Sequence, residues 1–280
     1  MAVLRFGDKG DPVKAFQRNL NKIGALLLVD GDFGTATRDA IPDARGVTKI
    51  PGGPDADDAL QAALVTLSDP CPPLTSAGVT FIARAEISSP ATYRQSYCHP
   101  TWPSAQSGIT IGIGYDLQFR NEGDFRRDWG GRLTADCLTQ LLPALGEVGS
   151  DEVLDRVRDL VVPLPAAVGA FISRSLPLFL TEARGIYPQL DGLATQQRTA
   201  LVSLVYNRGP RLTDNNPTLQ DRREMRAIQQ LLADGDLDAV PAQFESMTRL
   251  WDPAKLPGLI QRRRDEATMW RSGFPALMLG

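Results

Sequence analysis

The chain has 280 residues, of which 42% are apolar and 22% are charged, and its formal net charge is -3. This composition predicts an ordered protein with one sizeable core and room for a smaller module. The small net charge argues against a general attraction to nucleic acid or to anionic membranes. No apolar run approaches the ~20 residues of a membrane span, and residues 1–10 lack a signal-peptide pattern. We therefore expect no membrane span, and synthesis in the cytoplasm.

The cysteine and histidine content gives little support to metal or redox chemistry. Cys71, Cys98 and Cys137 are an odd number without paired spacing, and the only histidine, His99, adjoins Cys98. Adjacent side chains seldom point at one another, and no third ligand follows at a metal-site spacing. We expect buried thiols, and neither a metal nor an organic cofactor.

The first 41 residues carry two helical patterns separated by a turn. Asp11 and Pro12 predict a helix start, and apolar residues then recur at helical spacing until Gly24, the expected end. These are Val13, Phe16, Leu20 and Ile23. The turn VDGDFG follows at residues 29–34, and residues 35–41 predict a second short helix. The Asp-Gly-Asp of the turn lacks the later oxygen ligands of a calcium loop.

The pattern LRFGDKG followed by VDGDFGTAT, over residues 3–41, resembles the small three-helix peptidoglycan-binding domain that accompanies cell-wall hydrolases. The family's third helix is not matched, because residues 41–45 read IPDAR. A further helix is predicted at residues 57–67, and the SDPCPP stretch at 68–73 marks a boundary. The resemblance implies a peptidoglycan-binding module at residues 1–69 and a second domain at residues 70–280.

The second domain opens with a helix and a glycine-rich strand. Ser76 is the candidate N-cap of a helix that leads to Glu86 and is stopped by Ser-Ser-Pro. After an interval without carboxylates, the sequence SGITIGIGYD predicts a strand over residues 109–115. Thr110 and two glycines would share one bare face of this strand, and parity places Asp116 on that face. A bend at Gly112 and Gly114 would bring Asp116 back toward Thr110.

A carboxylate at a helix end, followed by a strand with a hydroxyl and a second carboxylate, is typical of a cleft that cleaves glycosides. Glu86 and the Thr-Ile-Gly-Ile-Gly strand resemble the catalytic segment of the phage-type lysozymes, which are muramidases. Tyr115 replaces the usual histidine, and the second carboxylate follows the threonine strand, as in pesticin-like muramidases. The resemblance implies that Glu86 is the general acid, Thr110 positions water and Asp116 is the second carboxylate.

The remainder of the chain predicts helices at residues 134–145, 151–161, 165–180 and 195–206. A small sheet followed by many helices predicts an α+β, mostly helical fold. With the resemblance, this becomes a lysozyme-like domain with a small β-hairpin, preceded by the three-helix module.

Two helical motifs and two aromatic residues complete the predicted site. ALVSLVYNRG at 200–209 resembles a helix that borders the substrate cleft, so Asn207 is either a sugar contact or a helix cap. GLIQRRRDE at 258–266 resembles the family's closing helix. Arg262 and Arg263 are therefore predicted to lie in the cleft, where they would contact substrate or fix the rotamer of the catalytic glutamate; the alternative is a solvated basic face or a patch that attracts anionic peptidoglycan. Trp102 and Tyr115 are further predicted substrate contacts, with core packing as the alternative for Trp102.

The sequence hypothesis is a monomeric hydrolase of bacterial peptidoglycan. It would cleave the β-1,4 bond between N-acetylmuramic acid and N-acetylglucosamine. Inversion would require catalytic carboxyl groups ~6.5 to 9.5 Å apart, and retention about 5 Å. The alternatives are a lytic transglycosylase, which needs no second carboxylate, and a wall-binding or toxin-like protein without activity.

Overall fold

The computed structural model describes residues 2–103 and 107–279 and is mostly helical, with one two-stranded antiparallel sheet. The α+β, mostly helical prediction is confirmed. Part of the predicted loop between Glu86 and Thr110, residues 104–106, lies outside the described residues. The helices are α1 (Asp11–Asn21), α2 (Thr35–Asp39), α3 (Ile41–Thr48), α4 (Asp58–Val65), α5 (Ser76–Ile87), α6 (Pro90–Thr92), α7 (Glu122–Trp129), α8 (Ala135–Leu141), α9 (Asp151–Asp155), α10 (Leu164–Ala170), α11 (Leu176–Ile186), α12 (Thr195–Arg208), α13 (Arg223–Asp234), α14 (Val240–Ser246), α15 (Pro257–Ser272) and α16 (Ala276–Leu279).

The strands and short helical turns fill the intervals between these helices. The strands are β1 (Thr110–Ile111) and β2 (Tyr115–Asp116); π turns span Tyr93–Tyr97 and Phe171–Ser175; 3₁₀ turns span Leu117–Phe119, Leu142–Ala144, Leu190–Gly192, Leu237–Ala239 and Met247–Leu250. The helix predicted at 134–145 is therefore α8 with a 3₁₀ turn, and the one predicted at 151–161 is only the short α9.

Helices α1 to α4 enclose a small hydrophobic core of their own. Phe16 stacks on Phe33 at 5.9 Å, and both rings are buried. Asp57 caps α4 by accepting from the Leu60 amide, and Arg45 ties down the preceding loop through Gly53, Pro51 and Asp55 carbonyls. The sequence pattern weakened after residue 41, yet Pro42 occupies the first turn of α3, where a missing N–H costs nothing.

A second, larger core begins at Cys71, and the first core ends at Leu67. The division falls at the predicted domain boundary, although separate folding of the two parts stays a prediction. One residue of the first segment belongs to the core of the second. Leu26, in the turn after α1, is fully buried in the second core rather than the first.

The module, residues 2–67, is fastened to the body, residues 71–279, at several points around Leu26. Arg84 of α5 donates to the Leu26 carbonyl at 3.0 Å, and the Val29 amide donates to the Leu277 carbonyl at 2.6 Å. Gly24 has a φ of +82°, and a Cβ there would lie 2.4 Å from Val168 Cγ1. Only glycine allows the turn to approach α10 so closely.

The glycine-rich segment forms a hairpin, so the prediction of one strand over residues 109–115 is wrong. Gly112 and Gly114 have φ values of +61° and +68°, and they turn the chain back on itself between β1 and β2. Thr110 pairs directly with Asp116, and Ile111 with Tyr115. The expected return of Asp116 to Thr110 is therefore present, but it arises from strand pairing rather than from a bent strand.

The helical run Leu164–Ile186 joins α10, the second π turn and α11. It is long and apolar enough to cross a membrane by composition alone, and half of its apolar window is buried within the fold. Core helices meet the same criterion, so this run is weak evidence for a span. Its buried face contributes Phe171 and Leu176 to the larger core.

Candidate active site

Glu86 lies in the last turn of α5. The helix is capped by the Thr75 hydroxyl, which accepts from the Gly78 amide, and not by Ser76 as predicted. It ends at Ile87 because Ser88 adopts a φ of +61° and Pro90 follows. The Glu86 side chain is 24% exposed, so it is partly desolvated while remaining accessible.

Arg262 brings three helices together at Glu86. Its Nη1 donates to Glu86 Oε1 at 2.5 Å, its Nε donates to Ser203 Oγ at 3.1 Å, and its Nη2 donates to the Ser203 carbonyl at 2.9 Å. The Arg262 side chain is only 5% exposed. Each edge of the planar guanidinium thus has a partner on α5 or α12, which fixes the orientation of the carboxylate. Arg262 contacts the predicted catalytic residue rather than open solvent.

A buried carboxylate stands behind this contact. Ser203 Oγ donates to Glu266 Oε1 at 2.6 Å, and Arg263 Nη2 donates to the same oxygen at 2.8 Å. Complete burial raises the pKa of Glu266, opposed by the adjacent Arg263 and Arg262 charges. Burial also lowers the pKa of Arg263 to about 10. The two groups therefore sit as a desolvated ion pair beneath Arg262.

The prediction that Arg263 contacts substrate is not supported, because its side chain is completely buried. Arg264 is the exposed member of the three arginines. Glu266 was not predicted to have a role, although its spacing of four and three residues from Arg262 and Arg263 was a usable signal for helix ion pairs. Ser203 was missed because a serine inside an apolar helix carries no comparable signal.

The hairpin holds Thr110 and Asp116 side by side. Asp116 Oδ1 accepts from the Gln118 amide at 2.9 Å, and Oδ2 accepts from the Gly108 amide at 3.3 Å. Thr110 exchanges backbone bonds with Thr101 at 2.7 and 2.9 Å. Within the described part of the chain, the half-buried Thr110 hydroxyl has no hydrogen-bond partner. A fixed carboxylate with spare lone pairs next to a free hydroxyl can hold a water molecule between them.

Tyr206 connects the hairpin to the Glu86 side of the site. Its hydroxyl donates to the Ile113 carbonyl at 2.7 Å, at the tip of the hairpin. Burial raises the pKa of Tyr206, and the nearby Glu86 charge raises it further. Tyr206 therefore lies near Glu86 while holding the turn that joins Thr110 to Asp116. The sequence motif contained this residue, but its linking role was not predicted.

Tyr115 was predicted to contact substrate, and the structure does not support this. Its side chain is 2% exposed, and its hydroxyl donates to Asp128 Oδ2 at 2.9 Å. The ring lies edge-on to Trp129 at 5.4 Å. Burial, with the Asp128 contact, raises the pKa of Tyr115. Tyr115 anchors the hairpin to α7 and faces away from solvent.

Trp102 and Asn207 occupy different settings. Trp102 is partly buried against the main core, and a Cβ on Gly149 would lie 2.3 Å from its ring. Its stacking on a sugar stays a prediction. Asn207 is half-buried near the end of α12, where Gly209 is the C-cap, so Asn207 is not the cap. Its amide has no hydrogen-bond partner among the residues described, which leaves it available to a ligand.

No protein-family model matches the chain, and no curated protein matches its sequence. Within residues 2–103 and 107–279, no group of three or more His, Cys, Asp or Glu side chains is arranged to hold a metal ion. The three cysteines are unbonded. Cys71 and Cys137 are buried as expected, and burial raises the pKa of both thiols, whereas Cys98 is only partly buried. The chemistry available to the site therefore rests on its own geometry: one oriented, accessible glutamate, and a carboxylate beside a hydroxyl that has no partner among the described residues.

Proposed function

We propose that the protein is a lysozyme-like peptidoglycan hydrolase that cleaves the β-1,4 bond between N-acetylmuramic acid and N-acetylglucosamine. The observation that carries the proposal is the Arg262–Glu86 contact, which orients a partly exposed glutamate next to the hairpin-holding Tyr206. The resemblance of three motifs to phage-type lysozymes agrees with this arrangement. The module at residues 1–69 would hold the enzyme on the insoluble wall and raise the local concentration of cleavable bonds.

Glu86 acts as the general acid. Because Oε1 accepts from Arg262, the catalytic proton resides on Oε2 and passes to the glycosidic oxygen as the bond to the muramic acid C1 breaks. Water attacks C1 from the opposite face and gives its proton to Asp116, while the Thr110 hydroxyl orients it. The products are a reducing N-acetylmuramic acid end and a new hydroxyl on N-acetylglucosamine.

This mechanism carries a stereochemical expectation. Water standing between Asp116 and the sugar requires carboxyl groups ~6.5 to 9.5 Å apart and gives inversion at C1. Proton NMR of a cleaved soluble glycan, recorded before mutarotation, reads the anomer directly. An α-anomer as first product agrees with inversion, and a β-anomer makes Asp116 a nucleophile instead.

The decisive test is mass spectrometry of soluble muropeptides released from purified peptidoglycan by wild type, Glu86→Gln and Asp116→Asn. We expect reducing N-acetylmuramic acid ends from wild type, and a loss of about 10²-fold or more in each variant. Circular dichroism establishes that the variants are folded. Full activity of Glu86→Gln would remove the proposal.

The second candidate is a lytic transglycosylase. One observation favours it: both oxygens of Asp116 already accept backbone N–H groups, as expected of a structural carboxylate. In that case Glu86 works alone and the product is an anhydromuramic acid end. Anhydro ends from wild type, together with an active Asp116→Asn, would select this candidate.

A wall-binding or toxin-like protein without catalysis is the remaining alternative. It is separated from both enzymes by incubating wild type with isolated walls. Wall-bound protein in the pellet with no soluble muropeptides in the supernatant is the outcome that this alternative requires. We further propose that the protein is a monomer made in the cytoplasm that acts on the wall.

A further inference from the structure

A continuous groove runs along the junction of the module and the body. It consists of two adjoining cavities of about 560 and 420 Å³. Their shared lining shows that they are one groove: Leu27, Ala36, Pro90 and Arg94. This space lies within the size range of small-molecule sites, roughly 300 to 1,000 Å³. The groove adjoins none of the predicted catalytic side chains.

The two walls of the groove have opposite charge. The module contributes four aspartates, and the body contributes three arginines. These are Asp30, Asp32, Asp39 and Asp43 on one side, and Arg84, Arg94 and Arg132 on the other. The floor is apolar, with Leu27 of the module facing Val168 and Ile172 of the body. A single ligand in this groove would contact the aspartate wall, the arginine wall and the apolar floor at the same time.

Among the described residues, no charged group of one wall pairs with a charged group of the other. Asp32 and Asp39 pair within the module instead, with Lys9 and Arg38. Gln17, which is buried, donates to Asp30 Oδ1 at 2.8 Å and so fixes that carboxylate. Arg132 is fixed by Ser173 at 2.9 Å. By contrast, Asp43 and Arg94 make no ion pair with each other or with another described residue. Asp43 and Arg94 both line the 560 Å³ cavity. Desolvation by the surrounding protein raises the pKa of Asp43, and the nearby Arg94 charge opposes that rise.

Resting on the proposed function, we propose that this groove binds the peptide stem of peptidoglycan. The stem is a short zwitterionic peptide with a diamino acid, free carboxylates and alanine methyl groups. The aspartate wall suits its ammonium group, and the arginine wall suits its carboxylates, which guanidinium groups bind well. The apolar floor suits its methyl groups. A neutral glycan strand offers no partner for either charged wall, so the occupant is the peptide rather than the sugar.

This assignment makes the site a joint product of both parts of the chain. The module alone supplies the acidic wall and Leu27, but Arg94 and Arg132 belong to the body. Wall recognition would then depend on the docked arrangement of module and body. It also gives the enzyme two separate contacts with its substrate, one to the stem and one to the glycan.

The test is isothermal titration calorimetry of the full chain with a soluble stem tetrapeptide that contains a diamino acid. Arg94→Gln and Asp43→Asn are the informative variants, since both residues are exposed and neither has an ion pair to lose. Arg126→Gln is the matched control, because Arg126 is exposed on α7 outside the groove. We expect binding by wild type and by the control, and at least tenfold weaker binding by each groove variant.

Two outcomes overturn the inference: no tetrapeptide binding by wild type, or equal affinity in wild type and both groove variants. Thermal melts of each variant confirm folding. Hydrolysis assays on walls with and without their stems separate this inference from the proposed function. Hydrolysis of both walls without peptide binding removes the groove site alone. Peptide binding without hydrolysis of either wall supports the groove site and removes the hydrolase.

Discussion

The guanidinium of Arg262 donates to the carboxylate of Glu86 at 2.5 Å, across 176 positions of the sequence. The contact is supported from behind by Ser203 and Glu266, which are both completely buried. An ion pair this well supported fixes one carboxylate oxygen, and on the proposed function the other oxygen carries the catalytic proton.

Replacing Arg262 by lysine keeps the charge but removes the planar fork that reaches Glu86 and Ser203 at once. We expect the rate of muropeptide release to fall by about 10²-fold, because small misplacements of a catalytic group are costly. Arg264→Lys is the control, since Arg264 is exposed on the same helix. A wild-type rate for Arg262→Lys would show that the fork is not needed.

The Tyr206 hydroxyl is predicted to act on the hairpin rather than on stability alone. Tyr206→Phe removes its bond to the Ile113 carbonyl, at a stability cost of about 1 kcal/mol. Tyr93→Phe removes a comparable buried bond to the Val162 carbonyl, away from the hairpin. Both variants should melt at lower temperature, but only Tyr206→Phe should lower the rate constant for hydrolysis. Equal rates in the two variants would contradict the linking role.

A substitution at Gly114 tests the backbone of the same turn, between β1 and β2. The φ of Gly114 is +68°, and a Cβ there would lie 2.9 Å from the Tyr206 hydroxyl. Gly131 has a φ of +76° with open space around it, so an alanine there meets only the conformational cost of about 1 to 2 kcal/mol. We expect Gly114→Ala to lose hydrolysis and Gly131→Ala to lose stability only. Thermal melts and muropeptide release measure the two effects, and an active Gly114→Ala would show that the turn tolerates displacement.

The carboxylate of Glu224 accepts hydrogen bonds from Arg249, which also donates to the Leu219 and Gln220 carbonyls in the loop that follows α12. The contribution of Glu224 to stability depends on pH. Burial tends to raise the pKa of Glu224, but hydrogen bonds from Arg249, Ser246 and Arg223 hold it below the ordinary value. A lowered folded pKa adds stability that is present above the unfolded pKa, about 4.3, and is lost as pH falls through the folded value.

Glu224→Gln should therefore reduce the free energy of unfolding at pH 7 by about 2 to 3 kcal/mol. The difference from wild type should shrink as the pH falls below about 4. Urea unfolding at pH 7 and pH 3 measures it. Glu245→Gln is the control, since its pair with Arg271 is about half exposed and is worth less than about 1 kcal/mol. A difference that does not change with pH would contradict the ion-pair account.

Gly24 is predicted to control the docking of the module. Alanine at this position would force its Cβ against Val168 and hold a positive φ. Gly7, also at positive φ but with nothing nearby, is the control. Gly24→Ala should loosen the junction and speed cleavage of the 68–73 connection by protease, whereas Gly7→Ala should not. Unchanged proteolysis in Gly24→Ala would show that the module is held without this contact.

Local sequence signals predicted the positions of the helices better than the contacts between separate elements. Helical spacing located α1, α5 and α12, and the predicted return of Asp116 to Thr110 is present. A small β-hairpin was expected from the resemblance, but its position was missed: residues 109–115 were interpreted as one strand, because Ile and Gly in alternation fit a strand as well as a glycine turn. Arg263 was predicted to contact substrate because the motif places three arginines in succession, and only packing decides which side chain points inward. Tyr115 was misassigned for the same reason, since Asp128 lies on another element.

The groove between module and body could not be predicted, because it depends on how two separately patterned segments meet. Leu26 belongs to the α1 turn in sequence and to the body's core in space. No periodicity within residues 3–41 indicates that contact. Gly24 permits the close approach to α10, but its sequence context indicates only the end of a helix.

The fastening of the module to α5, α10 and the segment at Leu277 has a consequence for how a polymer is cut. Because the Leu26 and Val29 contacts hold the module against the body, we expect the distance from the proposed stem-binding groove to Glu86 to be set by the fold. If the protein is a hydrolase and the groove binds the stem, it cuts the glycan at a constant distance from the bound stem. Limited digestion of long glycan strands should then yield fragments with a preferred length, where a tethered, swinging module would yield a continuous distribution.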